Sequence, residues 1–325
     1  MALVLLLAGC SQGLAAVQSV SNLAASASGN GLLPSVALFQ GSAAGIYDGN
    51  IWSWGGTYGA TSPRVNTSNN IQPYLTWSTD QTLRTIRLLR DAAGTYDRVV
   101  IDTLNGSDPT QEANWTSRYD TGSGANVTFL DVDLGATYTT KGLRVRTFRG
   151  ANDCDVGELA AFGPLPLGGT LSSRRVWPTN TTATSSRFRS PPEASDGNWM
   201  QFGWLSDTTN GNPGIEWQLT QWYSNNASFN AVSVTFGMQS GWNYHPNSWQ
   251  LQLDQGSGFA SVGTFAKDGV RQQYYHNLGL QTGVRALRLV VQELDTPDGA
   301  LSVGVVEMEA FLTVITAKGT VIVIR

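Results

Sequence analysis

One set of motifs occurs twice in this chain, roughly 150 residues apart, and a duplication of that period confines each half to a small fold that closes on its own core. Asp48-Gly49-Asn50 opens an aromatic stretch, Ile51-Trp52-Ser53-Trp54. Asp196-Gly197-Asn198 opens another, Trp199-Met200-Gln201-Phe202-Gly203-Trp204. Val156-Gly157-Glu158-Leu159-Ala160-Ala161-Phe162 closes the first copy, and Val305-Val306-Glu307-Met308-Glu309-Ala310-Phe311 closes the second. Between these anchors, Val99-Val100-Ile101-Asp102 answers Gln250-Leu251-Gln252-Leu253-Asp254. The copies share strand pattern and turn chemistry, so the duplication speaks of architecture first.

Strand signals dominate. Val232-Ser233-Val234-Thr235-Phe236 and Trp249-Gln250-Leu251-Gln252-Leu253 alternate strictly, which gives each one apolar and one polar face. Leu83, Ile86 and Leu89 fall at helical spacing within 82–90, but the counterpart of this segment is the alternating run at 231–237, so it too reads as strand. No long helix is visible. Many short strands with Gly, Asn and Pro turns argue for an all-β chain, with an antiparallel β-sandwich in each copy. A length of 325 residues suits two such domains.

The boundaries follow. Residues 21–163 are expected to form the first sandwich and 186–313 the second. Between them, 164–185 is rich in Pro, Gly, Ser and Thr and reads as a linker. Residues 314–325 form a β-prone tail (Val321-Ile322-Val323-Ile324). Residues 1–20 read either as an apolar arm packing on a neighbouring subunit or as a short lipoprotein signal. Leu7-Ala8-Gly9-Cys10 matches the cleavage box, but no Lys or Arg precedes the apolar run. No stretch is long enough to span a bilayer as a helix.

Composition narrows the function classes. Only 14% of residues are charged, the net charge is −4, and there is no basic run, which argues against nucleic-acid binding through phosphate neutralisation. The two cysteines, Cys10 and Cys154, lie outside the matched motifs and indicate neither a disulfide framework nor a zinc site. There is no Gly-x-Ser-x-Gly elbow, no His-Glu-x-x-His and no phosphate loop, so a non-catalytic protein is expected.

Copy two reads Ser190-Pro191-Pro192-Glu193-Ala194-Ser195-Asp196-Gly197-Asn198, then Trp204-Leu205-Ser206, then Gly214-Ile215-Glu216-Trp217-Gln218-Leu219, and it closes on the Glu307 strand. In this it resembles the coagulation-factor type C, or discoidin, domain. Copy one is similar at its opening (Asn22-Leu23-Ala24) and its close. The resemblance implies an antiparallel jelly roll of the galactose-binding-like type, whose members bind glycans, lipid head groups or proteins through loops at one end. It also implies a calcium site, with Asp48, Asn50 and Glu158 as ligands in copy one and Asp196, Asn198 and Glu307 in copy two. The bare alternative is that Asp-Gly-Asn is a tight turn and that the Glu satisfies backbone donors.

Glycans present apolar faces to aromatic rings and hydroxyls to forked polar groups. Copy two offers Trp242, Asn243, Tyr244 and His245 in a segment bracketed by Gly241 and Pro246, with Tyr275 and His276 in a second one. Copy one offers Trp52, Trp54 and Tyr58. Trp204, Trp217 and Trp249 read as core. The expected protein is a non-catalytic glycan-binding subunit on a phage or virus virion, contacting host polysaccharide and joined to other subunits through its terminal segments. Two other readings stay open: a bacterial surface lipoprotein with the same modules, and a purely structural assembly subunit.

Overall fold

A computed structural model describes residues 20–33, 53–54, 64–65, 72–89, 96–125, 129–148, 154–155, 158–186, 190–196, 204–206, 216–239, 242–243, 245–268, 273–294 and 302–313. The first copy contains β1 (Gly29–Leu32), β2 (Ser53–Trp54), β3 (Arg64–Val65), β4 (Pro73–Leu89), β5 (Arg98–Leu104), β6 (Trp115–Asp120), β7 (Phe129–Phe148), β8 (Cys154–Asp155) and β9 (Glu158–Phe162). The second contains β10 (Arg175–Val176), β11 (Asn180–Ala183), β12 (Trp204–Leu205), β13 (Trp217–Phe236), β14 (Met238–Gln239), β15 (Trp242–Asn243), β16 (Pro246–Asp254), β17 (Phe259–Ala266), β18 (Gln273–Leu294) and β19 (Gly304–Phe311). The chain is all-β and its large sheets are antiparallel, as the alternation anticipates. Segment 82–90 is strand through Leu89, against its helical spacing.

The first copy's sheet runs β1-β4-β7-β5-β6, with β9 added on β4, and the second's runs β10-β19-β13-β18-β16-β17, with β11 on β13 and β12 on β19. The long strands serve two layers each. The start of β4 pairs the end of β7 and the end of β4 pairs the start of β7, with register breaks between Thr76 and Gln81 and again between Leu83 and Thr85. In the second copy, β13 and β18 break register between Trp222 and Ala227 in the same way. Such breaks bend the strands and let one sheet fold into a sandwich. Apolar faces of the layers meet inside each copy: Leu75, Ile86, Val99, Ile101, Leu143 and Val145 in the first, and Trp204, Leu219, Val234, Trp249, Leu251 and Leu289 in the second.

The copies correspond strand by strand, and bulges fix the correspondence. In the first, β5 and β6 slip between Ile101 and Asp102; in the second, β16 and β17 slip between Leu251 and Gln252. Part of the segment expected as linker belongs to the second sandwich. Arg175–Val176 pairs with β19, and Asn180–Ala183 pairs with β13. Its Thr and Val residues alternate against strands that need an edge partner, which outweighs the Pro and Gly content.

The copies pack on each other through equivalent faces. Ala160 and Phe162 from β9 meet Ala231 and Phe311 from the second copy, with Val20, Leu165, Leu171 and Tyr275 completing the cluster. Phe162 lies opposite Thr85, and Phe311 opposite Ala231, in the same antiparallel register. The interface is therefore quasi-twofold, as in an isologous dimer fused into one chain. Val20 ties across it: its N–H donates to Asn277 Oδ1 at 2.7 Å and its carbonyl accepts from Asn277 Nδ2 at 3.1 Å.

Candidate functional site

Aromatic segments from both copies converge at one small sheet. Strand β14 pairs with β15 antiparallel and with β2 parallel. In that register Gln239 stands opposite Trp242 on one side and Trp54 on the other, while Met238 stands opposite Asn243 and Ser53. The sheet thus joins the post-Asp-Gly-Asn stretch of the first copy to the Trp242 segment of the second. Trp52, Tyr58 and Tyr244 lie outside the described residues.

Three expected ligand-binding residues are placed elsewhere. His245 is buried directly before β16, its ring 5.0 Å from Phe236, 5.4 Å from Tyr274 and 6.1 Å from Trp249. His276 is also buried, accepts a hydrogen bond from Trp249 Nε1 at 3.3 Å and stacks 3.8 Å from Phe265, and burial pushes its pKa down to about 4. Tyr275 packs edge-on against Phe162 at 5.1 Å inside the interface between the copies. The sequence expectation placed them in loops; β18 extends through Tyr275 and His276, and His245 lies directly before β16, so the rings pack among core residues.

The face-to-face packing buries a charge network that sequence reading does not reveal. Arg87 of β4 donates through Nη1 to Glu309 Oε2 of β19 at 2.7 Å and through Nη2 to Asp131 Oδ2 of β7 at 3.1 Å. Asp131 Oδ2 also accepts from the Ser172 N–H and hydroxyl, at 2.7 and 2.6 Å. Ser233 Oγ donates to Glu309 Oε2 at 3.1 Å, and Arg175 Nη1 donates to Glu309 Oε1 at 3.2 Å. Arg175 Nη2 donates to the Ser195 carbonyl at 2.8 Å and to Glu307 Oε1. Arg87, Arg175, Asp131, Glu307 and Glu309 are all almost fully excluded from solvent.

This placement bears on the metal expectation for Glu307. Calcium takes oxygen ligands at roughly 2.3–2.6 Å, and a carboxyl group serves as one in its ionised form. Glu307 faces Arg175, and burial raises its pKa above the ordinary carboxylate value, with Arg175 opposing the shift and Glu309 and Asp196 adding to it. Asp196 is exposed, and no group of three or more His, Cys, Asp or Glu residues among those described could hold a metal ion. Glu158, on β9 opposite Leu89, holds the position equivalent to Glu307. Asp48, Asn50 and Asn198 lie outside the described residues.

Within this network three carboxyls face two guanidiniums, so a proton on Glu307 brings the set to neutrality. The folded-state pKa of about 8 exceeds the ordinary 4.5. The folded protein therefore binds this proton more tightly than the unfolded chain does. Stability from this group is complete below pH 4.5 and declines as pH rises through about 8. Thermal unfolding from pH 5 to 9 is expected to show this decline in the native chain, and a flatter profile in Glu307→Gln, which carries no proton to lose. Parallel profiles would show that Glu307 titrates normally.

No protein-family model matches the chain, and no curated protein matches it. Among solved structures, the chain is similar to a fucolectin from striped bass (Morone saxatilis) serum, at 13% identity over 92% of this chain and 100% of that one, with a TM-score of 0.35. It is also similar to the paired family 32 carbohydrate-binding modules of ZmpB from Clostridium perfringens, at 8% identity over 91% and 92% of the two chains, with a TM-score of 0.36. A chitosan-binding module from a Paenibacillus chitosanase/glucanase matches 44% of this chain and 99% of its own length, at 20% identity and a TM-score of 0.34.

Proposed function

We propose that the chain is a non-catalytic glycan-binding protein whose principal site spans both copies at the β2-β14-β15 sheet. The observation that carries this is the register that sets Trp54 and Trp242 on either side of Gln239. The register brings two tryptophans and a glutamine onto neighbouring strands, and these are residue types that sugar recognition uses: indoles for apolar sugar faces and an amide for hydroxyls. Both copies are required, which gives the duplication a function beyond doubling a scaffold.

The test is a glycan array probed with the intact chain and with Trp54→Ala and Trp242→Ala. Each substitution is expected to weaken binding by about tenfold or more, the loss of one anchoring aromatic. Binding unchanged in both variants, or no binding to any glycan, would remove the reading.

The setting we propose is a virion accessory subunit that contacts host surface polysaccharide and docks to other subunits through its terminal segments. Its support is the pair of apolar runs at 2–8 and 321–324. A lipidated Cys10 found by mass spectrometry of the native protein would instead make it a bacterial surface lipoprotein. Among the described residues no helix is long and apolar enough to cross a membrane.

A further inference from the structure

The strand-by-strand correspondence makes Asp102 equivalent to Gln252, Arg144 to Arg288, and Trp115 to Phe259. In the first copy this place is a complete carboxylate-binding site occupied by the chain itself. Arg144 is buried and lies 5.0 Å over the Trp115 ring. Its Nε donates to Asp102 Oδ2 at 2.7 Å, and its two Nη groups donate to Glu112 Oε2 and Oε1 at 2.6 and 2.9 Å. Glu112 arrives on the ten-residue connection 105–114 between β5 and β6, and the Arg144 fork holds its carboxyl below the usual range. This is bidentate recognition of a carboxylate by a guanidinium backed by an aromatic ring.

The second copy keeps the guanidinium and the ring and lacks both acids. Arg288 lies 3.3 Å over the Phe259 ring, with Nε donating to Thr220 Oγ1 at 3.2 Å. Gln252 stands where Asp102 does and is engaged with Gln250, its Nε2 donating to Gln250 Oε1 at 2.6 Å. The connection from β16 to β17 is only residues 255–258, so nothing corresponds to Glu112. That tight turn depends on Gly256 and Gly258, at φ of 108° and 94°, whose N–H groups donate to Asp254 Oδ1 at 2.7 and 3.1 Å. Among the described residues, no carboxylate comes within salt-bridge distance of Arg288 and no acceptor meets its Nη groups. Beside it Trp222 is 37% exposed and stands edge-to-face with Phe259 at 6.2 Å.

We propose that the outer sheet face around Arg288 binds the carboxylate of a uronic-acid-bearing polysaccharide, placing it as Glu112 is placed on Arg144. The proposal rests on the glycan-binding reading above and adds a second, chemically distinct site to it. A sugar suits the surface better than an acidic peptide: the exposed Trp222 indole offers a flat stacking surface, and the Gln250 and Gln252 amides line the same face. Partial burial and the fields of Asp254 and Glu216 both act on Arg288, and neither acid is within salt-bridge distance of it.

The test is titration of the intact chain with alginate and polygalacturonate oligosaccharides, their carboxyl-reduced counterparts and a poly-glutamate peptide. Uronates are expected to bind, and the carboxyl-reduced forms to bind about tenfold more weakly or not at all, the loss of one bidentate charged pair. Arg288→Ala is expected to have the same effect. Gln252→Asp, which installs the acid of the first copy, should neutralise Arg288 and weaken uronate binding without loss of thermal stability. Uronate binding indifferent to both substitutions, binding of the reduced sugars equal to that of the acids, or binding of poly-glutamate in preference to any sugar would each overturn the proposal. If uronates fail to bind while other glycans still require Trp54 and Trp242, the Arg288 site falls and the principal reading stands. If no glycan binds at all, both fall.

Discussion

Arg87→Ala is expected to destabilise the protein by about 3–5 kcal/mol, the usual cost of stripping one partner from a buried ion pair. Two acids depend on this one guanidinium, Asp131 in its own copy and Glu309 in the other, and neither has solvent to fall back on. Asp131 would keep the Ser172 donors, and Glu309 would keep Arg175 and Ser233. The uncompensated charge therefore falls at the join between the copies, and the join is where the damage should appear. Calorimetry is expected to show one cooperative transition for the native chain and two separated ones for the variant, as each sandwich unfolds on its own core. A variant that loses less than about 1 kcal/mol and keeps a single transition would mean that the apolar cluster around Phe162 and Phe311 suffices to couple the copies.

The second large effect belongs to Trp204. Its side chain is fully buried in the second core, and its Nε1 donates to the Ser185 carbonyl at 2.8 Å. Trp204→Ala opens a cavity the size of an indole and removes that hydrogen bond, so a loss of about 3–5 kcal/mol is expected from chemical denaturation. The slope of the denaturation curve should stay near the native value if the fold is kept. Trp222→Ala is the informative control. Trp222 is partly exposed and should cost far less stability, so comparable losses in the two variants would contradict the burial that separates them.

These two tryptophans mark what the sequence discloses. Trp217 and Trp249 announce themselves as core because they begin strictly alternating runs, and both are buried. Trp222 lies within the same long strand as Trp217, but the register break that follows it is set by pairing with β18, which no local pattern encodes. His245 and His276 mislead for a related reason. Turn residues beside them suggest loops, whereas β18 continues through His276 and His245 is buried directly before β16. Arg87 and Glu309 lie 222 residues apart, and their pairing follows only from how the two sandwiches meet. The duplication itself was legible in the Asp-Gly-Asn and closing-strand motifs. The equivalence of Arg144 and Arg288 was not, because the connections between matched strands differ in length and the bulges that restore the correspondence are features of backbone pairing.

A pattern runs through these sites: the copies agree on backbone and differ in charge. Arg87 in the first copy stands where Ser233 stands in the second, and Glu309 stands where Ala160 does, so one arm of a quasi-twofold interface carries the ion pair and the other carries small residues. Such asymmetry fixes one docking of the copies and with it the approach of β2 to β14. The central claim is that Trp54 and Trp242, from different copies, act on one ligand. A double-mutant cycle tests it most directly, with affinity for the best-bound array glycan measured for the native chain, Trp54→Ala, Trp242→Ala and the double variant. A shared site predicts a coupling energy above about 0.5 kcal/mol, with the double variant little weaker than either single one. Strictly additive losses, or a loss confined to one of the two tryptophans, would show that the copies bind independently and would contradict the account.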